Sequence, residues 1–132
     1  MKLLWWTWCF PQTLLGFLLR IIFRAEWTQR AQSADLYIVT GHEWFSGGSF
    51  GPYILLHPHN VDALWHEYGH CRQSIYLGPL YLLAVGIPSV LRNLWSRVLQ
   101  ARGAAVRKIV AWYYSGYPER WADRLGNVRR KK

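Results

Sequence analysis

The residues whose types and spacing could do chemistry are concentrated in the pentapeptide His66-Glu67-Tyr68-Gly69-His70. On a helix, residues i and i+4 lie one above the other on the same face, so His66 and His70 can offer ring nitrogens to one ion. Neutral imidazole is a good zinc ligand. Glu67, about 100° around the helix from His66, can take a proton from a zinc-bound water. The spacing therefore predicts a hydrolytic site with one Zn²⁺ ion and Glu67 as general base.

The flanking residues favour a helix around this motif. Asn60 or Asp62 can cap its start, and Leu77-Gly78-Pro79 can end it. An apolar side recurs at Leu64, Tyr68 and Ile75. The alternative interpretation is an ordinary amphipathic helix that carries two exposed histidines.

Gly69 is unusual because it stands in the middle of this predicted helix. Glycine there costs roughly 1 kcal/mol relative to alanine. The cost is explained if another stretch of backbone passes close to the helix beside the metal. The alternative is a glycine tolerated by chance.

A third ligand is needed, because two histidines leave a tetrahedral zinc short of one protein ligand. Of the seven acids, only Glu119 and Asp123 follow the motif. Their spacing places both on one face of a helix, with Trp121 and Leu125 turned towards a core. Pro118 suits the first turn of such a helix. The alternative for the two acids is a solvated face paired with neighbouring arginines.

With these two motifs the chain resembles the gluzincins, the thermolysin-like zinc metallopeptidases whose HExxH is followed on a later helix by ExxxD. The resemblance implies that His66, His70 and Glu119 are the metal ligands and that Glu67 is the catalytic base. It also implies that Asp123 accepts a hydrogen bond that orients the ring of His66. The string HEYGHCRQSIYLGPL, from His66 onward, also looks like small bacterial proteins of unassigned function.

The gluzincin mechanism requires a donor for the oxyanion of the tetrahedral intermediate, commonly Tyr or His. Three tyrosines stand just before Glu119, namely Tyr113, Tyr114 and Tyr117. Aromatic packing accounts for at least two of them. We assign the catalytic role to Tyr114 as an expectation.

A length of 132 residues predicts a single domain, 1–132, too small for the two-lobed body of a full-size metallopeptidase. We expect an α+β fold: a mostly helical, minimal zincin-like domain with a small antiparallel sheet packed on the metal-binding helix. The patterns predict strands at 36–40 and 53–56 with a turn at Gly47-Gly48 between them. They predict helices at 14–23, 89–99 and 104–114, with Ser89 as a cap.

Charge is strongly segregated along the chain. Residues 92–132 carry eleven basic and two acidic side chains, so the net charge of +9 lies in this part, which ends in a basic tail at 127–132. The surface favours polyanions, either an anionic membrane or nucleic acid. Nucleic acid is the weaker expectation, because Arg92, Arg97, Arg102 and Arg107 do not form one stripe on a helix.

The segment 1–24 is aromatic and apolar, with Trp5, Trp6 and Trp8 near its start. It predicts either packing on the domain or interfacial contact with a membrane. Pro11 and Arg20 interrupt the run below the length that spanning requires. We expect a location in the cytoplasm or at the membrane periphery.

These patterns together predict a zinc metallopeptidase that hydrolyses peptide bonds of a peptide or protein substrate. Another amide or an ester substrate is an alternative with the same zinc site. The competing class is a non-enzymatic basic and aromatic protein that binds an anionic membrane or nucleic acid, in which HEYGH is structural or inactive.

Overall fold

The computed structural model describes residues 1–130, so Lys131 and Lys132 of the predicted basic tail lie outside the described residues. The helices are α1 (Lys2–Trp6), α2 (Phe10–Ile22), α3 (Leu64–Leu77), α4 (Ile87–Ala101), α5 (Val106–Ser115) and α6 (Glu119–Leu125). The strands are β1 (Glu26–Ala31), β2 (Ala34–Ile38), β3 (Gly47–Phe50) and β4 (Tyr53–Leu56). The predicted α+β class, mostly helical with a small sheet, is confirmed.

The sheet has the strand order β1-β2-β4-β3. Its outer pairs are antiparallel hairpins, whereas β2 and β4 run parallel. The expected antiparallel sheet is therefore a mixed one. After β2 the chain passes to the edge strand β3, and β4 then returns between β3 and β2, parallel to β2. Gly47 and Gly48 lie within β3 and not in a turn, since their backbone pairs with Leu56 and Leu55 of β4. The predicted sheet also lacked β1, whose residues are mostly exposed.

The sheet lies between α3 and the C-terminal part of α2, since successive residues of its inner strands point to opposite faces. On one face, Leu36, Ile54 and Leu56 pack with Leu64 and Tyr68 of α3. On the other face, buried Tyr37 and Leu55 pack with Phe23 and with Leu19 of α2. This arrangement holds the central helix α3 against the sheet.

The helix α3 begins and ends close to the predicted positions, although its start has a different basis. A 3₁₀ turn at Pro58–Ala63 leads into it, and no side chain caps it. The side chain of Asn60 donates to the carbonyl of Ser46 instead. The end is as predicted: α3 ends at Leu77, and Gly78 follows with a positive φ of 54°.

The N-terminal segment packs on the domain. Trp5 and Cys9 are buried in the core with α3, and the indole of Trp8 donates to the carbonyl of Ile75. Cys9 and Cys71 are both free and buried. Among residues 1–130, no helix combines the length and the apolar character needed to cross a membrane.

The contact between α3 and α6 depends on glycine. A Cβ built on Gly69 would lie 1.9 Å from the carbonyl oxygen of Ala122, and one on Gly126 would lie 1.9 Å from that of Trp65. Such distances are far below van der Waals contact. The two backbones can approach this closely because a glycine, which has no side chain, stands at each point of contact. The expectation that a second backbone passes Gly69 is thereby confirmed.

We expect Gly69→Ala to lower the free energy of unfolding by about 2 kcal/mol or more, because relieving the overlap forces α6 away from α3. Urea unfolding followed by circular dichroism measures the change. Gly86→Ala is the matched control, since the nearest atom to its added Cβ lies 3.6 Å away. Helix propensity alone would favour alanine at either position by about 1 kcal/mol. Equal stability of the two variants would contradict the close crossing.

Candidate metal centre

Three side chains from α3 and α6 converge in the interior. The Nε2 atoms of His66 and His70 lie 2.9 and 3.0 Å from the same oxygen, Oε2 of Glu119. All three residues are buried, and their candidate ligand atoms lie within 4.8 Å of one another. The structure therefore brings together the three residues that the sequence predicts as metal ligands.

The other ring nitrogen of each histidine faces an acceptor. Nδ1 of His66 lies 2.7 Å from Oδ1 of Asp123, and Nδ1 of His70 lies 2.7 Å from Oε1 of Gln73. The orientation of the Gln73 amide is fixed because its Nε2 donates to the carbonyl of Pro118. Both Nδ1 atoms must therefore carry the proton, since their partners can only accept. Neutral rings then present the lone pair of Nε2.

These lone pairs make the site fit a cation. Two neutral imidazoles in this tautomer point acceptors at Glu119, itself an acceptor, and such a contact is repulsive unless a cation or extra protons intervene. Tetrahedral zinc with bonds of about 2.0–2.1 Å separates its ligand atoms by about 3.3 Å. The observed separations of 2.9 and 3.0 Å are close to that value. Two imidazoles and one carboxylate are also a donor set that catalytic zinc uses.

Without a metal ion, a second proton on a ring supplies the positive charge instead, and that ring then donates to Glu119 through Nε2. Burial opposes the charge on Glu119, but hydrogen bonds with His66, His70 and Ser89 outweigh it and hold its pKa well below the ordinary value. Burial likewise opposes a charge on His66, but hydrogen bonds with Asp123 and Glu119 raise its pKa to about 9. The carboxylates thus stabilise positive charge between α3 and α6.

Ser89, Gln73 and Arg130 complete the site, and sequence reasoning did not assign them to it. Ser89 does not cap α4; its hydroxyl donates to Oε1 of Glu119 at 2.5 Å. Arg130 donates twice to Asp123, at 2.6 and 2.9 Å, so this part of the predicted tail is not simply solvated. For Gln73 the sequence offers one signal. It follows His70 by three residues on α3, a spacing at which two helical side chains can contact each other.

Glu67 lies in the wall of a cavity of about 290 Å³, next to His70. Ser89 and Tyr113 line the same cavity. Burial raises the pKa of Glu67, while the neighbouring His70 and His66 oppose the shift. The carboxylate that the sequence predicts as general base therefore faces this cavity.

The tyrosines are placed differently from the expectation. The ring of Tyr114 packs edge-on against His66, with centroids 5.1 Å apart, and lies under the guanidinium of Arg130. Tyr113 lines the cavity, and Tyr114 does not. The reason is geometric, since consecutive helical residues point about 100° apart. Burial raises the pKa of Tyr113, so its hydroxyl stays protonated and able to donate.

In α6 the two acids lie on one face as predicted, but the predicted apolar side is not buried in a core. Trp121 and Leu125 are half-buried. The ring of Trp121 stacks on exposed Tyr117, with centroids 6.4 Å apart, and lies near Tyr76. The buried apolar residue of this helix is Ala122, against Gly69.

Comparisons with known proteins found no relative. No family model matches the chain, and no curated protein or solved structure among those compared is significantly similar to it. The case for a metal centre therefore rests on the geometry of the cluster.

We expect the purified chain to hold one zinc ion, and we expect His70→Ala and Glu119→Ala each to lose it, because either change removes a ligand. Elemental analysis of protein dialysed with zinc measures the content. His59→Ala is the matched control, since His59 is exposed and lies outside the cluster. Zinc retained by both ligand variants, or a different metal in the wild type, would contradict this site.

Gln73→Met should weaken zinc binding by about 10- to 100-fold without abolishing it, because the acceptor that orients His70 is lost. Competition with a chromophoric chelator measures the affinity. Asp123→Asn is the matched variant on His66, and we expect a loss of similar size. Unchanged affinity in Gln73→Met would show that the ring of His70 does not depend on the amide.

Proposed function

We propose that this protein is a zinc-dependent metallopeptidase. The observation that carries the proposal is the convergence of His66, His70 and Glu119 beside a cavity whose wall contains Glu67. His70 lines that cavity, so an ion held by the three residues would have space beside it for a fourth ligand, which is the form of a catalytic rather than a structural zinc site.

Each residue has a separate task in this proposal. His66, His70 and Glu119 hold the ion, and Asp123 and Gln73 keep both imidazoles in the tautomer that presents Nε2. A zinc ion held there would lower the pKa of a bound water to about 7 and polarise a substrate carbonyl. Glu67 accepts the proton of the attacking water and delivers it to the leaving amine.

Tyr113 is the donor that the cavity offers for the developing oxyanion. It lines the cavity with Glu67 and His70, and its hydroxyl stays protonated. The earlier expectation for Tyr114 is replaced in this proposal, because that ring packs against His66 outside the cavity lining.

The cavity walls favour an extended peptide as substrate. One wall is β3, which stands at the edge of the sheet and pairs, among the described strands, with β4 alone. An edge strand offers free backbone N–H and C=O groups, with which an extended peptide can pair. Apolar side chains from other segments line the cavity beside it, including Phe45, Leu82 and Val90.

The deciding experiment compares the zinc-loaded wild type with Glu67→Gln on a mixture of peptides, with products identified by mass spectrometry. We expect the wild type to cleave peptide bonds and the variant to be slower by about 10²- to 10⁴-fold while retaining zinc, because only the general base is lost. Glu26→Gln is the control, since this exposed acid lies on β1 at the far edge of the sheet from β3.

Two outcomes would contradict the proposal. Equal activity of Glu67→Gln and wild type would remove Glu67 from the chemistry. Absence of cleavage by a zinc-loaded wild type, on peptides and on ester and amide model substrates alike, would favour the non-enzymatic alternative.

A further inference from the structure

Helix α4 is amphipathic, but its apolar side faces outward and its polar side faces the rest of the molecule. A helix on the surface of a globular protein normally turns its apolar side inward. In α4, Leu91 and Leu94 are 60% and 52% exposed, whereas the polar side chains of Ser89, Arg92 and Asn93 are half-buried. None of its residues is fully buried.

Specific contacts fix this orientation. On the inner side, Ser89 donates to Glu119, and Arg92 donates to the carbonyls of Trp112 and Tyr113 at the end of α5. The guanidinium of Arg92 also lies 4.2 Å from the ring centre of Trp112. Turning the apolar side inward would break these bonds, one of which reaches a metal ligand. The outward apolar face is therefore a consequence of how the site is built.

The exposed residues form one continuous row. A π-helical turn at Leu82–Gly86 joins directly to α4, and apolar residues recur along both in steps of three or four. We call this row the outer ridge; its members are Leu80, Leu83, Ile87, Leu91, Leu94 and Val98, all exposed. Trp95, also exposed, lies beside it. An apolar row of this length on the surface indicates contact with an apolar partner.

Helix α2 shows the same inversion. Its buried residues are Gln12, Thr13 and Gly16, whereas Leu18 and Ile21 are exposed. Gln12 donates to the carbonyl of Gly78, just before the ridge begins. Two helices of this chain, α2 and α4, thus bury polar or small residues and expose leucine and isoleucine, and α2 contacts the turn that leads into the ridge.

The charges around the ridge select the kind of partner. Arg102, Arg107 and Lys108 follow the end of α4 and are exposed. The two acids of residues 92–132, Glu119 and Asp123, are buried in the metal centre. The charged side chains that the structure describes as exposed in this part are therefore all basic. A second copy of a chain with net charge +9 would bring like charges together.

We propose that the outer ridge docks on an anionic lipid bilayer, with its apolar side chains in the interface and the basic residues of 102–108 on the lipid headgroups. Apolar insertion and attraction to anionic lipid act together in such binding. Tryptophan beside an apolar row is typical of the membrane interface, as Trp95 is here.

The experiment is sedimentation of the purified full chain with phosphatidylcholine vesicles, prepared with and without phosphatidylserine. We expect binding to the anionic vesicles, at least about tenfold weaker binding to neutral ones, and a decrease with salt. The double variant Leu91→Gln and Leu94→Gln should bind at least about tenfold more weakly, because two apolar side chains no longer enter the interface. The double variant Val61→Gln and Trp27→Gln, exposed apolar residues elsewhere, should bind like wild type.

Circular dichroism and zinc content establish that the variants are folded, and neither readout depends on peptidase activity. Binding to neither vesicle, or equal loss in the ridge and control variants, would overturn the proposal. A dimer in analytical ultracentrifugation that only the ridge variant dissociates, without vesicle binding, would assign the ridge to a second copy instead.

Discussion

The close crossing of α3 and α6 is the constraint on which the rest of the structure depends. Gly69 against Ala122, and Gly126 against Trp65, let the two backbones approach without intervening side chains. This close approach of the two helices lets the carboxylates of Glu119 and Asp123 reach the ring of His66 on α3. The sheet contributes by holding α3 from its opposite side. Backbone proximity, and not a large core, thus assembles the charged cluster of this small chain.

The crossing alone would leave the cluster incompletely partnered, and the second layer of contacts comes from more distant parts of the chain. Gln73 links His70 to the carbonyl of Pro118, so the start of α6 is held by the same side chain that orients the ring of His70. Ser89 links Glu119 to α4, and Arg130 links Asp123 to the segment after α6. Buried polar groups are costly unless each has a partner, and this network supplies those partners.

The helices α3 and α6, and the residues that share a face on each, could be predicted because that information is local, whereas the proximity of Glu119 to the two histidines was expected from the resemblance to the gluzincins. The i, i+4 spacing placed His66 and His70 on one face, and Glu119 and Asp123 on another, while Gly69 indicated a neighbouring backbone. What could not be predicted depends on distant residues. Nothing near Gln73 or Ser89 in sequence specifies Pro118 or Glu119 as a partner. The sequence predicts a turn at the two glycines of β3 because glycine is a weak strand former, whereas their pairing with β4 is a tertiary effect.

Helix α4 shows how the site affects the surface of the molecule. Its periodicity correctly predicts a helix, but periodicity does not tell which side of the helix faces inward. The polar side faces inward because a buried carboxylate, Glu119, and the free carbonyls at the end of α5 require donors, which leucine cannot supply. The cost is an apolar side in contact with water, unless something covers it. Val90 both lines the cavity and is exposed beside the outer ridge. If the ridge docks on a bilayer as proposed, the cavity opens next to the lipid, and the proposed peptide substrate would reach it from the membrane surface.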